Sequence, residues 1–278
     1  MKYSIDTQKY VPKMLSFCRS QGVNINLENP VTIQDKMAWL NIYDTDPLKV
    51  KCADKIRLHE YCKEILGEDI CIPLIKTYNS TSEINWDELP DKFVIKCNHG
   101  SGMNVIVSDK KSVDKNGIIQ KLNRWMKTDF SMQNGFESHY HDIPHKILVE
   151  QYMNDGTLSG LTDYKFWCFN GEPGFIHVVN DRFSNNMHFN FYDVDFNKID
   201  LAQTNHPVSP NLIDKPKHLS EMVECGKKLS SNFKFVRVDF YEINDRIYLG
   251  ELTFTPDALV FKYRNNEDNV RIGNLLKI

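Results

Sequence analysis

The sequence lacks any apolar run of membrane-spanning length; stretches such as Ile147-Leu148-Val149 are far too short to cross a bilayer. It lacks an excess of one charge, with 34 Lys and Arg against 37 Asp and Glu and a net charge of −3. That balance excludes a general polyanion binder, so no nucleic-acid partner is expected. It has no C-x-x-C pair, its seven cysteines are scattered singly, and residues 1–6 lack the apolar stretch of a secretion signal. Those absences together predict a reduced, cytoplasmic protein. No repeat period and no low-complexity tract are found. What remains is ordinary globular composition, 41% hydrophobic and 26% charged over 278 residues, enough for one large domain or two modest lobes.

Residues 1 to about 70 read as helical. Met37, Leu40 and Tyr43 are placed on one face of a helix over 35–43, which Pro47 interrupts. A second helix is predicted over 54–66, with Ile56, Tyr61, Ile65 and Leu66 inward and Gly67 as its stop. Pro73 and Asp87-Glu88-Leu89-Pro90 bracket a connection into a new unit. From residue 92 the period shortens to that of strands, and 93–97 and 105–107 flank a glycine-containing turn. A helix over 112–127, a buried strand over 146–152 and strands near 165–169, 174–179 and 189–192 follow. A helix over 219–229, a hairpin over 235–255 and a last helix over 267–277 complete the chain. Strands and helices mixed without regular βαβ alternation predict an α+β fold.

The hairpin carries the clearest chemistry. Val236, Val238, Phe240, Leu252 and Phe254 alternate toward the core, which sends Arg237, Asp239, Glu251 and Thr253 to the opposite face. A three-residue loop near Asn244-Asp245-Arg246 would pair odd positions with odd and set Asp239 across from Glu251. Two opposed carboxylates repel unless a cation lies between them, and hard oxygen donors beside phosphate are what Mg²⁺ accepts. A solvated acidic face is the plain alternative; the flanking Arg237 and Thr253 weigh against it.

The segment Lys96-Cys97-Asn98-His99-Gly100-Ser101-Gly102 leaves a strand and enters a small-residue loop whose N–H groups and lysine suit phosphate. It is neither a Walker A motif nor a dinucleotide fingerprint, and taken alone a strand–glycine–strand hairpin turn is the commoner explanation. His139, His141 and His145 have a spacing that fits no compact zinc site and predict a mobile polar loop. Cys97, Trp167 and Phe169 are expected in the core. Arg182 either binds an anionic substrate or pairs with Asp181.

These residues resemble the ATP-grasp ligases, and among them the TupA-like branch named for teichuronopeptide biosynthesis. The resemblance runs from about residue 30 to 277. It rests on Asn29-Pro30-Val31-Thr32, Ala53-Asp54-Lys55, the 92–102 segment, Asp163-Tyr164-Lys165-Phe166-Trp167-Cys168-Phe169-Asn170-Gly171, Asp181-Arg182-Phe183, Arg237-Val238-Asp239-Phe240 and Gly250-Glu251-Leu252-Thr253-Phe254-Thr255-Pro256. It implies an ATP-grasp fold in which two α+β lobes clasp ATP. The parts would be a mainly helical region 1–85, a small lobe 86–149 with the glycine loop, and a large lobe 150–278 with the hairpin.

By that resemblance Lys96 contacts the α/β-phosphates, and Gly100, Ser101 and Gly102 form the loop closing over them. Val149-Glu150-Gln151-Tyr152-Met153 is the inter-lobe hinge, with adenine on the backbone of Gln151 and Met153, and Asp155 serves the ribose. Lys165 approaches the terminal phosphates. Asp239 and Glu251 hold Mg²⁺, with Thr253 standing where many such enzymes carry Asn. Arg237, Lys165 and Arg182 are the catalytic cations. Asp54-Lys55 resembles the opening Asp-Lys of the ATP-binding lobe, and Asp257 occupies a position where glycine is common.

The implied activity is an ATP- and Mg²⁺-dependent carboxylate–amine ligase that forms an amide through an acyl phosphate. Its substrates would be a uronic acid of a bacterial surface polysaccharide or its precursor and an amino acid or amine, handled near the inner face of the membrane. The alternative is a capsule or O-antigen glycosyltransferase, for which Asp193-Val194-Asp195 supplies a literal D-x-D. A nucleotide-binding scaffold without chemistry is a third reading.

Overall fold

Local signals set the helical elements of the amino-terminal region. In the computed structural model, which describes residues 3–154, 160–181 and 187–278, Thr32 accepts from the Asp35 amide while the Asp35 carboxylate takes the Thr32 amide. This reciprocal cap opens helix α2 (Ile33–Tyr43), which follows α1 (Val11–Ser20). Pro47 does not merely interrupt: it stands at the first turn of α3 (Pro47–Ala53), where its missing N–H costs nothing. The helix predicted over 54–66 begins later, as α4 (Leu58–Leu66), because Asp54 turns its carboxylate onto the Ile56 amide between the helices. Gly67 ends α4 at φ 82°, as expected. Tyr43 departs from its predicted face and is 43% exposed. At 3.6 residues per turn it lies about 120° around the helix from Met37.

Two antiparallel sheets follow. The first has the order β1-β4-β2-β3, built from β1 (Leu74–Tyr78), β2 (Phe93–Cys97), β3 (Asn104–Val107) and β4 (Ile147–Gln151). Strand β1 lies inside the region read as mainly helical and was not predicted. Helix α5 (Lys115–Met126), capped by Asp114, joins β3 to the segment leading into β4. The second sheet has the order β7-β6-β5-β8-β9. Its strands are β5 (Asp163–Phe169), β6 (Glu172–Asn180), β7 (His188–Tyr192), β8 (Phe235–Glu242) and β9 (Ile247–Thr253). Helix α6 (Leu219–Ser230) covers one face, with Tyr61 of α4 donating its hydroxyl to the Leu229 carbonyl. Helix α7 (Asn266–Gly273) packs on α2, where Lys36 Nζ donates to the carbonyls of Gly273 and Leu276.

Residues 70–73 run between the sheets and bond to both. Leu249 N donates to Ile70 O, Ile72 N to Leu249 O, and Gln151 N to Pro73 O. One apolar cluster spans both sheets through Ile95, Val149, Phe166, Val238 and Leu252; a second gathers Met14, Met37, Trp167, Phe235 and Phe261. Cys97 and Trp167 are wholly buried and Phe169 nearly so, as expected. Among the described residues no helix is long and apolar enough to cross a membrane.

The three histidines do not form a polar loop. His139 is 2% exposed and packs on Tyr140 and Phe254, His141 pairs with Asp129, and His145 stacks on His99 with centroids 3.6 Å apart. Residues 135–140 are drawn into the core, whereas His141 and His145 on either side of Ile143 stay half-buried.

Candidate functional site

The hairpin reaches the expected pairing by another route. Ile243 and Arg246 exchange both backbone hydrogen bonds around Asn244 and Asp245, whose φ values are 51° and 62°. This is a two-residue turn in which both residues adopt the left-handed conformation, not a three-residue loop. Taken alone it would pair Asp239 with Gly250; a bulge between Asp239 and Phe240 shifts the register by one. Asp239 then faces Glu251 and Arg237 faces Thr253. The bulge also explains why Ile247 and Leu249 are buried before Gly250 and Leu252 and Phe254 after it.

Across β5 the register sets Lys165 beside Asp239, and across β6 sets His177 beside Lys165. Side chains from adjacent strands therefore meet on one face. Arg237 grips Asp239 with two parallel bonds, Nε to Oδ1 at 2.7 Å and Nη2 to Oδ2 at 2.6 Å. The same Nη2 lies 3.2 Å from Glu251 Oε1 and 3.2 Å from Thr253 Oγ1, and the Thr253 hydroxyl donates to Glu251 at 3.1 Å. Lys165 Nζ is 2.6 Å from Asp239 Oδ2 and 3.7 Å from Asp163 Oδ1. Burial alone would raise the Asp239 carboxyl; Arg237 and Lys165 outweigh it and hold it well below the usual range.

The first sheet supplies the opposing wall. Lys96, on β2, has its Nζ 2.5 Å from Glu150 Oε2 on β4. Lys55, just beyond α3, donates to the Gly100 carbonyl at 2.6 Å, tying that segment to the glycine turn. Burial lowers the Lys55 ammonium, opposed by Glu251 and Glu150. A side chain at Gly100 would meet the Phe130 ring at 2.6 Å, and Gly102 has φ 71°, so each glycine is required by its surroundings.

Between the sheets lies a cavity of about 450 Å³ whose walls include Lys55, Lys96, Lys165, Arg237, Asp239 and Glu251. Ser101 and Gly102 form part of its rim. A second cavity of about 480 Å³ joins it at Lys96 and Tyr241 and runs along Glu150, Gln151 and Met153, with apolar walls from Val94 and Ile106. A third of about 290 Å³ adjoins on the other side and includes Thr253. Gly100 lines none of the three; its carbonyl is occupied by Lys55. Asp155 and Arg182 lie outside the described residues. The literal D-x-D is a surface turn, in which Asp193 accepts from the amides of Asp195 and Asn197 and from the Asn197 side chain.

Sequence reasoning overlooked two groups. His177 lines the first cavity and could have been found by carrying the Lys165 register one strand further. Glu137 lines the third cavity, is 6% exposed and accepts from the Thr255 hydroxyl. Burial pushes its carboxyl up to about 7. Nothing in the local pattern around Glu137 marks it.

Asp239, Glu251 and Thr253 present only oxygen donors, the set that suits Mg²⁺ beside phosphate oxygens.

The chain is similar to D-cycloserine synthetase DcsG, with 12% identity, 98% of this chain and 95% of that one covered, and a TM-score of 0.45. It is similar to the D-alanine–D-alanine ligase of Helicobacter pylori at 17% identity, covering 88% and 69% of the two chains, with a TM-score of 0.43. For the D-alanine–D-alanine ligase of Bacillus anthracis the values are 19% identity, 73% and 57% coverage and a TM-score of 0.39, so the chain spans 57% of that ligase's length. No curated protein matches the sequence. The sequence model of the TupA-like ATP-grasp family matches residues 35–277, a span that takes in both sheets and the cavity between them. The chain belongs to the TupA-like ATP-grasp family.

Proposed function

We propose that this protein is an ATP- and Mg²⁺-dependent carboxylate–amine ligase that joins a uronic acid of a bacterial surface polysaccharide, or its precursor, to an amine. One observation carries the reading: four cations, Lys55, Lys96, Lys165 and Arg237, converge on a single cavity whose remaining charged wall is Asp239, Glu251 and Asp257. Such a surface neutralises a triphosphate while offering oxygen donors for a divalent ion. The neighbouring cavity, apolar along Val94 and Ile106 and ending at Gln151 and Met153, suits adenine.

In this reading Lys165 is the cation that moves. Its ammonium is a point charge on a flexible stem, so it can leave Asp239 for phosphate, whereas the two-pronged Arg237–Asp239 contact stays. Asp239 and Glu251, with Thr253 beside them, would hold Mg²⁺, which when bound neutralises phosphate charge. A substrate carboxylate oxygen bonds to the γ-phosphorus as the bond to the β-bridging oxygen breaks and ADP departs. The amine nitrogen then bonds to the acyl carbon, phosphate leaves with the C–O electron pair, and the nitrogen releases a proton. Arg237 faces the transferred group, and the Ser101–Gly102 rim keeps water from the acyl phosphate.

The test is ADP release from ATP and Mg²⁺ over uronic acids, nucleotide-linked uronates and amines. Release that requires a carboxylate and an amine together is expected, and Glu251→Gln abolishes it. A parental rate in that variant, or transfer from a sugar nucleotide without ATP, overturns the reading.

A further inference from the structure

The third cavity, of about 290 Å³, shares Ser101, Arg237, Glu251 and Asp257 with the triphosphate cavity, so whatever enters it meets the reacting centre directly. Its charge is lopsided. Glu137, Glu251 and Asp257 face a single cation, Arg237, whose guanidinium is already bonded to Asp239 and Glu251. A second observation points to a ligand. Tyr140 is 7% exposed and lines this cavity, and its hydroxyl has no hydrogen-bond partner among the described residues. The ring is held in the wall while the hydroxyl reaches the open cavity, where it is available to a guest. Phe17, Phe130 and Val260 add apolar surface to the lining.

Asp257 reaches this place at a conformational cost. Asp257, Ala258 and Leu259 have φ values of 49°, 49° and 71°, three successive residues other than glycine in the left-handed region. A glycine would hold the same turn without a side chain, so it is the carboxylate that distinguishes this pocket.

We propose that the third cavity is the acceptor subsite and that it takes a primary ammonium group with a short apolar body, Asp257 holding its charge and the Tyr140 hydroxyl and Glu137 receiving its N–H bonds. The inference rests on the ligase reading for its chemistry but not for its test. An amine held there stands beside Arg237 and Glu251, where the acyl phosphate would form.

The experiment is titration of the full chain, with Mg²⁺ and a non-hydrolysable ATP analogue, by n-propylammonium chloride, with n-propanol and sodium chloride as controls, followed by NMR of tyrosine ring signals. Saturable shifts are expected for the ammonium alone. Asp257→Asn raises its Kd by about tenfold or more, the size expected for a lost charged hydrogen bond. Asp257→Gly also weakens binding while melting no lower than the parent, because glycine is unstrained at that φ. That separates loss of the subsite from loss of the fold. No saturable shift in the parent, or an affinity equal to the parent's in both variants, overturns the subsite. A separate arm traps acyl phosphate from D-glucuronate and ATP with hydroxylamine. Parental protein that binds the ammonium but forms hydroxamate with no uronate in the panel supports the subsite and counts against the ligase reading.

Discussion

Asp239 is the residue whose loss the geometry describes most fully. It is 1% exposed, and both of its oxygens are bonded to cations: Arg237 at 2.7 and 2.6 Å and Lys165 at 2.6 Å. Asp239→Asn keeps the shape and removes the charge. Arg237 and Lys165, 8% and 7% exposed, are then left as buried cations, Arg237 beside Glu251 and Lys165 beside Asp163. Breaking a buried pair by removing one partner costs about 3–5 kcal/mol. The asparagine carbonyl still accepts one bond, which places the expected loss near the lower end, about 3 kcal/mol. The pH dependence has a fixed sign. The folded state holds the Asp239 carboxyl below its unfolded value, so its contribution is present above about pH 4 and is lost as pH falls toward the depressed folded value. Urea unfolding followed by tryptophan fluorescence should therefore show a wide gap between parent and variant from pH 5 to 7 that narrows on further acidification. A variant as stable as the parent at pH 7, or a gap that widens in acid, refutes the reasoning.

Gly250→Ala places a methyl 2.7 Å from Tyr241 Cε2 and strains the bulge that aligns Asp239 with Glu251; a loss of about 1–3 kcal/mol in thermal unfolding is expected, with lower ADP release. Burial raises the Glu137 carboxyl to about 7 from an ordinary 4.5, so the folded state binds the extra proton and stability falls as pH rises through that window. Relative to Glu137→Gln the parent should lose about 3 kcal/mol between pH 4.5 and 8, read from urea midpoints; parallel profiles would contradict it. Trp167→Ala removes a wholly buried ring packed against Phe175, Phe235 and Phe261, for an expected cost of about 3–5 kcal/mol by the same measurement.

The face of the hairpin was legible because alternation is a local property: Val236, Val238 and Phe240 declare one side, and Arg237 and Asp239 must take the other. The turn was not, because two departures cancel. A two-residue turn at Asn244-Asp245 and an extra residue at Gly250 give the same pairing at Glu251 as a three-residue loop. Only the burial of Ile247 and Leu249 separates the two routes, and that depends on the partner strand. Glu137 and His139 were illegible for a related reason. Their polar neighbourhood reads as a loop, yet Asn41 on α2 bonds to the Phe136 carbonyl and to the Ser138 amide and hydroxyl, drawing the segment inward. Such long-range hydrogen bonds leave no periodic trace. Strand β1 was hidden similarly: its burial is mostly partial, and its pairing with β4 joins residues some seventy positions apart.

The chain at 70–73, bonded on one side to Leu249 and on the other to Gln151, acts as a spine along which the two sheets are bound. Those bonds fasten the walls at that margin, so under the proposed reading any widening of the crevice for ATP would be a pivot about it. Travel is then smallest beside Ile72 and grows with distance, reaching the tip of the β2–β3 hairpin at Ser101 and Gly102. In that reading the end proposed for adenine, next to the spine, would keep nearly constant dimensions, while the end proposed for the phosphates would change width.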